Sequence, residues 1–137
     1  MISQNQINDL AFKIVGCAIE VHKQLGPGLL ESIYEEWFCE ELNHRKLNFI
    51  RQVRIPVFYK TRELNIELRL DVLVEDLVIC ELKAIETLLP VHQAQLLSYM
   101  KLLQKPKGLL INFHTDNITK SMIPLVNEYF SELPKNP

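Results

Sequence analysis

The stretch RLDVLVEDLVICELK, residues 69–83, restricts the architecture more than any other part of the chain. It holds two short apolar runs, RLDVLV and VICELK, joined through Glu75 and Asp76, and branched apolar runs of this length read as neighbouring strands of a buried sheet. Two hairpin registers are open. A two-residue loop, Glu75-Asp76, sets Leu70 opposite Glu81 and Val72 opposite Ile79, which mixes charge into both faces. A three-residue loop, Glu75 to Leu77, sets Leu70, Val72 and Val74 opposite Leu82, Cys80 and Val78, and that face is wholly apolar. A one-residue slip turns every side chain to the wrong side, so burial selects the second register.

The selected register puts Asp71 opposite Glu81 on the other face, with Cβ atoms about 4.5–5.5 Å apart. Carboxylates at that distance repel unless a cation or a proton lies between them. A divalent ion is one answer: Mg²⁺ favours hard oxygen ligands, is held by one or two carboxylates, and keeps positions for water and phosphate. Lys83 projects from the same face two residues beyond Glu81. There an ammonium could assist an attacking water and stabilise charge on a phosphate oxygen. The same register also allows a plainer arrangement. Arg69 lies opposite Lys83, so diagonal Asp71–Lys83 and Arg69–Glu81 contacts would form a checkerboard of surface ion pairs, each worth about 0–1 kcal/mol.

Around this hairpin the periodicity changes twice. Ile7, Leu10, Ala11, Ile14, Val15, Ala18, Val21 and Leu25 follow a 3.6-residue period, which predicts a helix from about Gln4 to Leu25, stopped by Gly26-Pro27. A second helix begins near Leu29 or Leu30, carries Ile33, Trp37 and Leu42, and frays at Asn43. FIRQVRIPVFYK and ELNIELRLDVLV alternate in twos and VICELKA is a short apolar run, giving three strands. Pro90 opens a third helix that runs from Val91 to about Gln104. GLLINF reads as a fourth, buried strand, followed by a strand near Ile118 to Ile123 and a short helix from Pro124 to Phe130. The expected fold is α/β, a central mixed sheet of four strands flanked by helices, in one domain over residues 1–133 with PKNP as a disordered tail. The strand-helix-strand crossover from VICELKA to GLLINF should make those two strands parallel.

Composition narrows the function classes. No apolar run approaches the ~20 residues of a membrane span. The opening MISQNQINDL lacks the basic and apolar regions of a signal peptide, so the expected location is cytoplasmic. Cys17, Cys39 and Cys80 are odd in number, widely spaced and set in apolar patterns, and read as buried thiols. A net charge of -2 argues against holding nucleic acid by bulk electrostatics alone, but the charge is segregated. Residues 43–62 carry six bases and no acid, whereas residues 63–86 carry seven acids and two bases. An acidic centre beside a basic flank suits a metal site next to a phosphate groove, with Arg51, Arg54 and Lys60 as candidate backbone contacts, although solvated faces also segregate charge by chance.

Beyond the central hairpin, GPGLLESIY contains Gly28, Glu31 and Tyr34 in the spacing of the GxxExxY family, preceded by VHKQLG, which is similar to that family's lead-in. LRLDVLVEDLVICELKA resembles its central block, HQAQLLSYMK its glutamine-tyrosine helix and GLLINF its last core strand, so that the resemblance spans about residues 14–113. The resemblance implies the restriction-endonuclease-like fold of the PD-(D/E)XK superfamily and Mg²⁺- or Mn²⁺-dependent nuclease activity. It further implies that Asp71 and Glu81 bind metal, that Glu31 adds a third carboxylate, that Lys83 is the catalytic lysine, and that Gln95 and Tyr99 are the Gln-X-X-X-Tyr pair of the exonuclease-like branch. Leu70 stands where the superfamily's first-letter proline is expected, and His114 where a glycine is expected.

By themselves some of these residues have simpler roles. Glu31 at a helix N-terminus is favoured by the helix dipole, and His22 suits the C-terminal end of the first helix in the same way. His92, Gln95 and Tyr99 fall at i, i+3 and i+7, a polar strip that solvent alone would explain. The sequence therefore points to a metal-dependent nuclease acting on DNA or RNA, with a catalytically weak nuclease-fold binding module as the alternative. It leaves room for a homodimer.

Overall fold

The computed structural model describes residues 1–137. Helix α1 spans Gln4–Leu25 and α2 spans Glu31–His44. Three strands follow: β1 (Phe49–Arg54), β2 (Val57–Tyr59) and β3 (Arg62–Leu64). The central hairpin is β4 (Arg69–Val74) and β5 (Val78–Lys83), followed by α3 (Pro90–Leu103) and β6 (Lys107–Asn112). The chain ends in α4 (Ile118–Ser121), β7 (Ile123–Val126) and α5 (Glu128–Ser131).

The main sheet has five strands in the order β1-β4-β5-β6-β7, with β5 and β6 parallel and the remaining neighbours antiparallel. It is a mixed α/β sheet flanked by helices, as a restriction-endonuclease-like fold requires, with one strand more than the expected four. The extra strand is β7. Ile123 and Leu125 alternate inward against Pro124 and Val126, and proline, lacking an N–H, is tolerated on an edge strand. The expected strand near Ile118 to Ile123 is instead the short helix α4 followed by β7, and the expected helix from Pro124 is reduced to α5. The alternating run FIRQVRIPVFYK is interrupted at Ile55-Pro56, so its second half leaves the sheet and pairs with β3 as a separate two-stranded hairpin.

Both faces of the sheet are covered. One face packs Val72, Val74, Val78, Cys80, Leu109 and Ile111 against Ile7, Ile14 and Cys17 of α1 and Tyr34 and Phe38 of α2. The other packs Leu73, Ile79 and Leu110 against Leu96, Tyr99 and Met100 of α3. Fully burying one such aliphatic side chain contributes about 1.5–3 kcal/mol, which holds the apolar faces of α1 and α3 against the sheet. On α2 the expected stripe is only partly right: Leu42 is buried, but Ile33 and Trp37 are exposed, and Tyr34, Phe38 and Cys39 face the core instead. Helix α3 approaches β6 closely because Gly108 has no side chain: a Cβ there would meet Met100 Sδ at 2.7 Å.

The β4–β5 register is the one that apolar matching selects, with Val72 opposite Cys80, Leu73 opposite Ile79 and Val74 opposite Val78. Leu70 departs from it. It joins the α3 face instead of the face of Val72 and Val74. The cause lies next to it: β1 and β4 pair at Arg51–Val72 and Val53–Leu70, but Gln52, between them, has φ 52° and no ladder partner. The sheet is thus distorted at Asp71, and the strict alternation on β4 fails there.

The end of the chain is tied to its start. The N–H groups of Gln4 and Asn5, left without partners by the first turn of α1, donate to the carbonyls of Pro134 and Lys135. The closing PKNP is therefore hydrogen-bonded to α1, although its composition reads as disordered.

Candidate active site

At Asp71 the backbone ladder of β4 and β5 ends and side chains take over. The Glu81 carboxylate accepts the Asp71 N–H at 3.1 Å, and the Asp71 carboxylate accepts the Leu82 N–H at 2.8 Å. Each strand end is held by an acid of its neighbour. Glu81 is 4% exposed, and Asp71 is half-buried. Burial first, and then the facing Asp71 carboxylate, push the Glu81 carboxyl up to about 9, while Lys83 opposes the shift. With Glu81 buried, a proton or a cation must compensate the charge of the pair.

Helix α2 brings Glu31 to the same place, by means of a short loop. Gly26 and Gly28 take positive φ (66° and 102°) to turn the chain between α1 and α2. The Tyr34 hydroxyl donates to the Gly26 carbonyl and accepts the Leu29 N–H at 3.2 Å, while its ring stacks on Phe113 at 4.6 Å. Tyr34 therefore locks the loop to the core, and Glu31 begins the helix that follows. Partial desolvation and the Asp71 charge raise the Glu31 carboxyl above its ordinary range, against the pull of Lys83. Glu31 and Glu81 thus both feel the charges of Asp71 and Lys83.

The checkerboard of ion pairs does not form. Arg69 pairs with Glu67 at 3.4 Å, and Lys83 takes part in no ion pair or side-chain hydrogen bond. Asn112, opposite Lys83 on β6 and 3% exposed, fixes the strand exit by donating to the Ile85 carbonyl at 2.8 Å and accepting the Ile85 N–H at 3.1 Å. It also accepts the His114 N–H at 3.3 Å, so the position where glycine is expected is held by this amide.

Tyr99 of α3 lies within the field of the acids. It is 5% exposed and forms no hydrogen bond, and burial together with the charges of Glu81 and Asp71 raises its hydroxyl. Gln95, one turn earlier, is exposed. His92 does not extend this strip: its Nδ1 accepts the Leu89 N–H at 2.9 Å and closes the start of α3. His22 is likewise engaged, with Nε2 2.7 Å from the Thr115 carbonyl.

The three basic candidates lie elsewhere. Arg51 is bound by Glu35 at 2.8 Å and Glu36 at 2.9 Å, Arg54 by Glu63 at 3.2 Å, and Lys60 sits at the tip of the β2–β3 hairpin. Glu35 is the residue that sequence reasoning missed. Only 8% exposed, it accepts from Arg51 Nε at 3.0 Å and Nη2 at 2.8 Å and from Gln52 Nε2 at 3.0 Å, fixing the distorted residue beside Asp71 to α2. Its one available signal was its i+4 spacing from Glu31.

The donor set suits a hard divalent cation. Asp71 and Glu81 each use one oxygen on a backbone N–H and keep the other for a ligand, as a site with two carboxylates and several waters would need. As the side chains stand, no group of three His, Cys, Asp or Glu is close enough to hold an ion, so Glu31 would have to swing inward to become a third ligand. The cysteines take no part: all three are buried, and burial pushes Cys17 up to about 11 and Cys39 to about 12.

The fold agrees with the comparison to family models: residues 8–123 match the PD-(D/E)XK nuclease superfamily. The chain belongs to that superfamily. Its nucleases generally use divalent metal ions and act on nucleic acid. Searches of curated proteins and of solved structures returned no match. No helix is long and apolar enough to cross a membrane.

Proposed function

We propose that this protein is a Mg²⁺- or Mn²⁺-dependent phosphodiesterase that hydrolyses nucleic acid, of the GxxExxY type. The observation that carries the reading is the facing Asp71–Glu81 pair, with Glu81 buried, Asp71 half-buried and an unpaired Lys83 beside it. Asp71 and Glu81, with Glu31 moving inward, would hold the ion. When bound, such an ion lowers the pKa of water and stabilises charge on the phosphate. Lys83 donates a hydrogen bond to the attacking water or to a phosphate oxygen, and its charge matches the negative charge that develops there. The Tyr99 hydroxyl orients the phosphate from the α3 side, and Gln95 contacts the substrate one turn away. Tyr34 supports the site indirectly by fixing the loop before Glu31.

One observation favours a second reading, a nuclease-fold module that binds without turnover: three acids do not converge as the side chains stand. A single assay separates the two. Labelled single-stranded, duplex and structured DNA and RNA are incubated with Mn²⁺ or Mg²⁺, beside an Asp71→Asn control. Cleavage above the control supports the enzyme; none on any substrate supports the module.

A further inference from the structure

The β2–β3 hairpin is a poor independent structure. Its pairs are Val57–Leu64, Phe58–Glu63 and Tyr59–Arg62, and it belongs to no larger sheet. Two strands alone are marginally stable in water. Neighbouring strand residues point to opposite faces, so Phe58 and Tyr59, 57% and 65% exposed, leave an aromatic ring uncovered on each side. Lys60 turns the hairpin with φ 56° and holds its ammonium 5.6 Å from the centre of the Tyr59 ring. Arg62 has no ion pair, and from Arg54 to Arg69 four bases face two acids.

Exposed π-faces interleaved with spare positive charge match one kind of ligand: flat bases on a phosphate backbone. Duplex nucleic acid hides its base faces, whereas unpaired nucleotides offer them. An apolar protein partner would cover the rings but leave the excess of positive charge unanswered. The hairpin is also continuous with the site. The Ile55 N–H donates to the Leu68 carbonyl at 2.7 Å, carrying the pairing of β1 and β4 towards it. The chain from Glu63 to Asp71 spans at most about 28 Å. We infer that Phe58, Tyr59, Lys60 and Arg62 form a binding arm for single-stranded nucleic acid. The substrate class this implies, unpaired or frayed strands, rests on the nuclease reading; the binding itself does not.

The test is fluorescence anisotropy of labelled oligothymidylate, oligouridylate and a blunt DNA duplex with the Asp71→Asn protein in Mg²⁺, so that binding is read whether or not the site cleaves. Stronger binding of either single strand than of the duplex is expected, the two single strands distinguishing DNA from RNA. Phe58→Ala and Tyr59→Ala should each weaken it about 5- to 150-fold. Lys60→Ala and Arg62→Ala should reduce its salt dependence, and Phe12→Ala, an exposed aromatic on α1, should leave it unchanged. Because all of these side chains are exposed, unchanged melting temperatures confirm that each variant folds. Single-strand affinity unaffected by Phe58→Ala and Tyr59→Ala overturns the inference. So does a concentration-dependent dimer that both variants abolish, which would give the arm to a second copy. Binding through the arm without cleavage by the unmodified protein leaves the arm standing and removes the nuclease reading. Cleavage with a KM indifferent to both variants does the reverse.

Discussion

Asp71 and Glu81 hold each other's strands: the Glu81 carboxylate takes the Asp71 N–H, and the Asp71 carboxylate takes the N–H that follows Glu81. Two acids replace the ladder at the one point where β1 also breaks away at Gln52. The interruption lets each side chain cap the backbone of the other's strand.

The first consequence is a pH dependence. The Glu81 carboxyl is raised from its ordinary 4.5 to about 9, so between those values the folded protein keeps a proton that the unfolded chain has released. Stability then falls as pH rises through that window. Metal-free protein should therefore melt at a lower temperature at pH 8 than at pH 5.5, and Mn²⁺ should reduce the difference. Glu81→Gln should flatten the profile and raise the pH 8 melting temperature by about 3–6 °C. Calorimetry across pH with a chelator present checks both.

Lys83 separates stability from chemistry. Because its ammonium holds no partner, Lys83→Met should change stability by no more than about 0.5 kcal/mol. It should lower kcat by about 10²–10³-fold, the usual effect of removing one donor to developing charge. Losing its attraction also raises the Glu81 carboxyl further, so the rate profile should shift to higher pH. Urea unfolding and single-turnover cleavage measure the two effects.

Arg51 should behave as a structural residue. It satisfies the buried Glu35 carboxylate but is itself about one-third exposed, which reduces its effect below the 3–5 kcal/mol of a fully buried pair. Arg51→Ala should cost about 2–3 kcal/mol in urea unfolding. It should change the salt dependence of nucleic-acid binding less than Lys60→Ala does.

Tyr34→Phe removes the hydroxyl that closes the α1–α2 loop while keeping the ring on Phe113. It should cost about 0.5–1.5 kcal/mol and weaken Mn²⁺ binding through the loosened Glu31. Titration of the variant beside Glu31→Gln tests whether the two act together.

Much of this arrangement was legible in the sequence because it rests on burial. The apolar period marked α1, Pro90 marked the start of α3, and matching Val72 and Val74 with Cys80 and Val78 set the register that brings Asp71 and Glu81 together. What escaped depends on contacts that no local pattern contains. Nothing in the local pattern of α2 sets Glu35 apart from its neighbouring acids, although it is buried by partners on β1. Arg51 read as a free base for the same reason. The run through Ile55-Pro56 kept its alternation while the backbone left the sheet, and Pro124 suited a helix start as well as an edge strand.

Binding of a divalent ion by the Asp71–Glu81 pair is tested most directly by calorimetric titration of Mn²⁺ at pH 7.5 in two buffers of different ionisation enthalpy. The account predicts saturable binding with release of about one proton, since the raised Glu81 carboxyl must ionise to become a ligand, and loss of that binding in Asp71→Asn. Binding that is absent, or that is equal in the unmodified protein and Asp71→Asn, would contradict it.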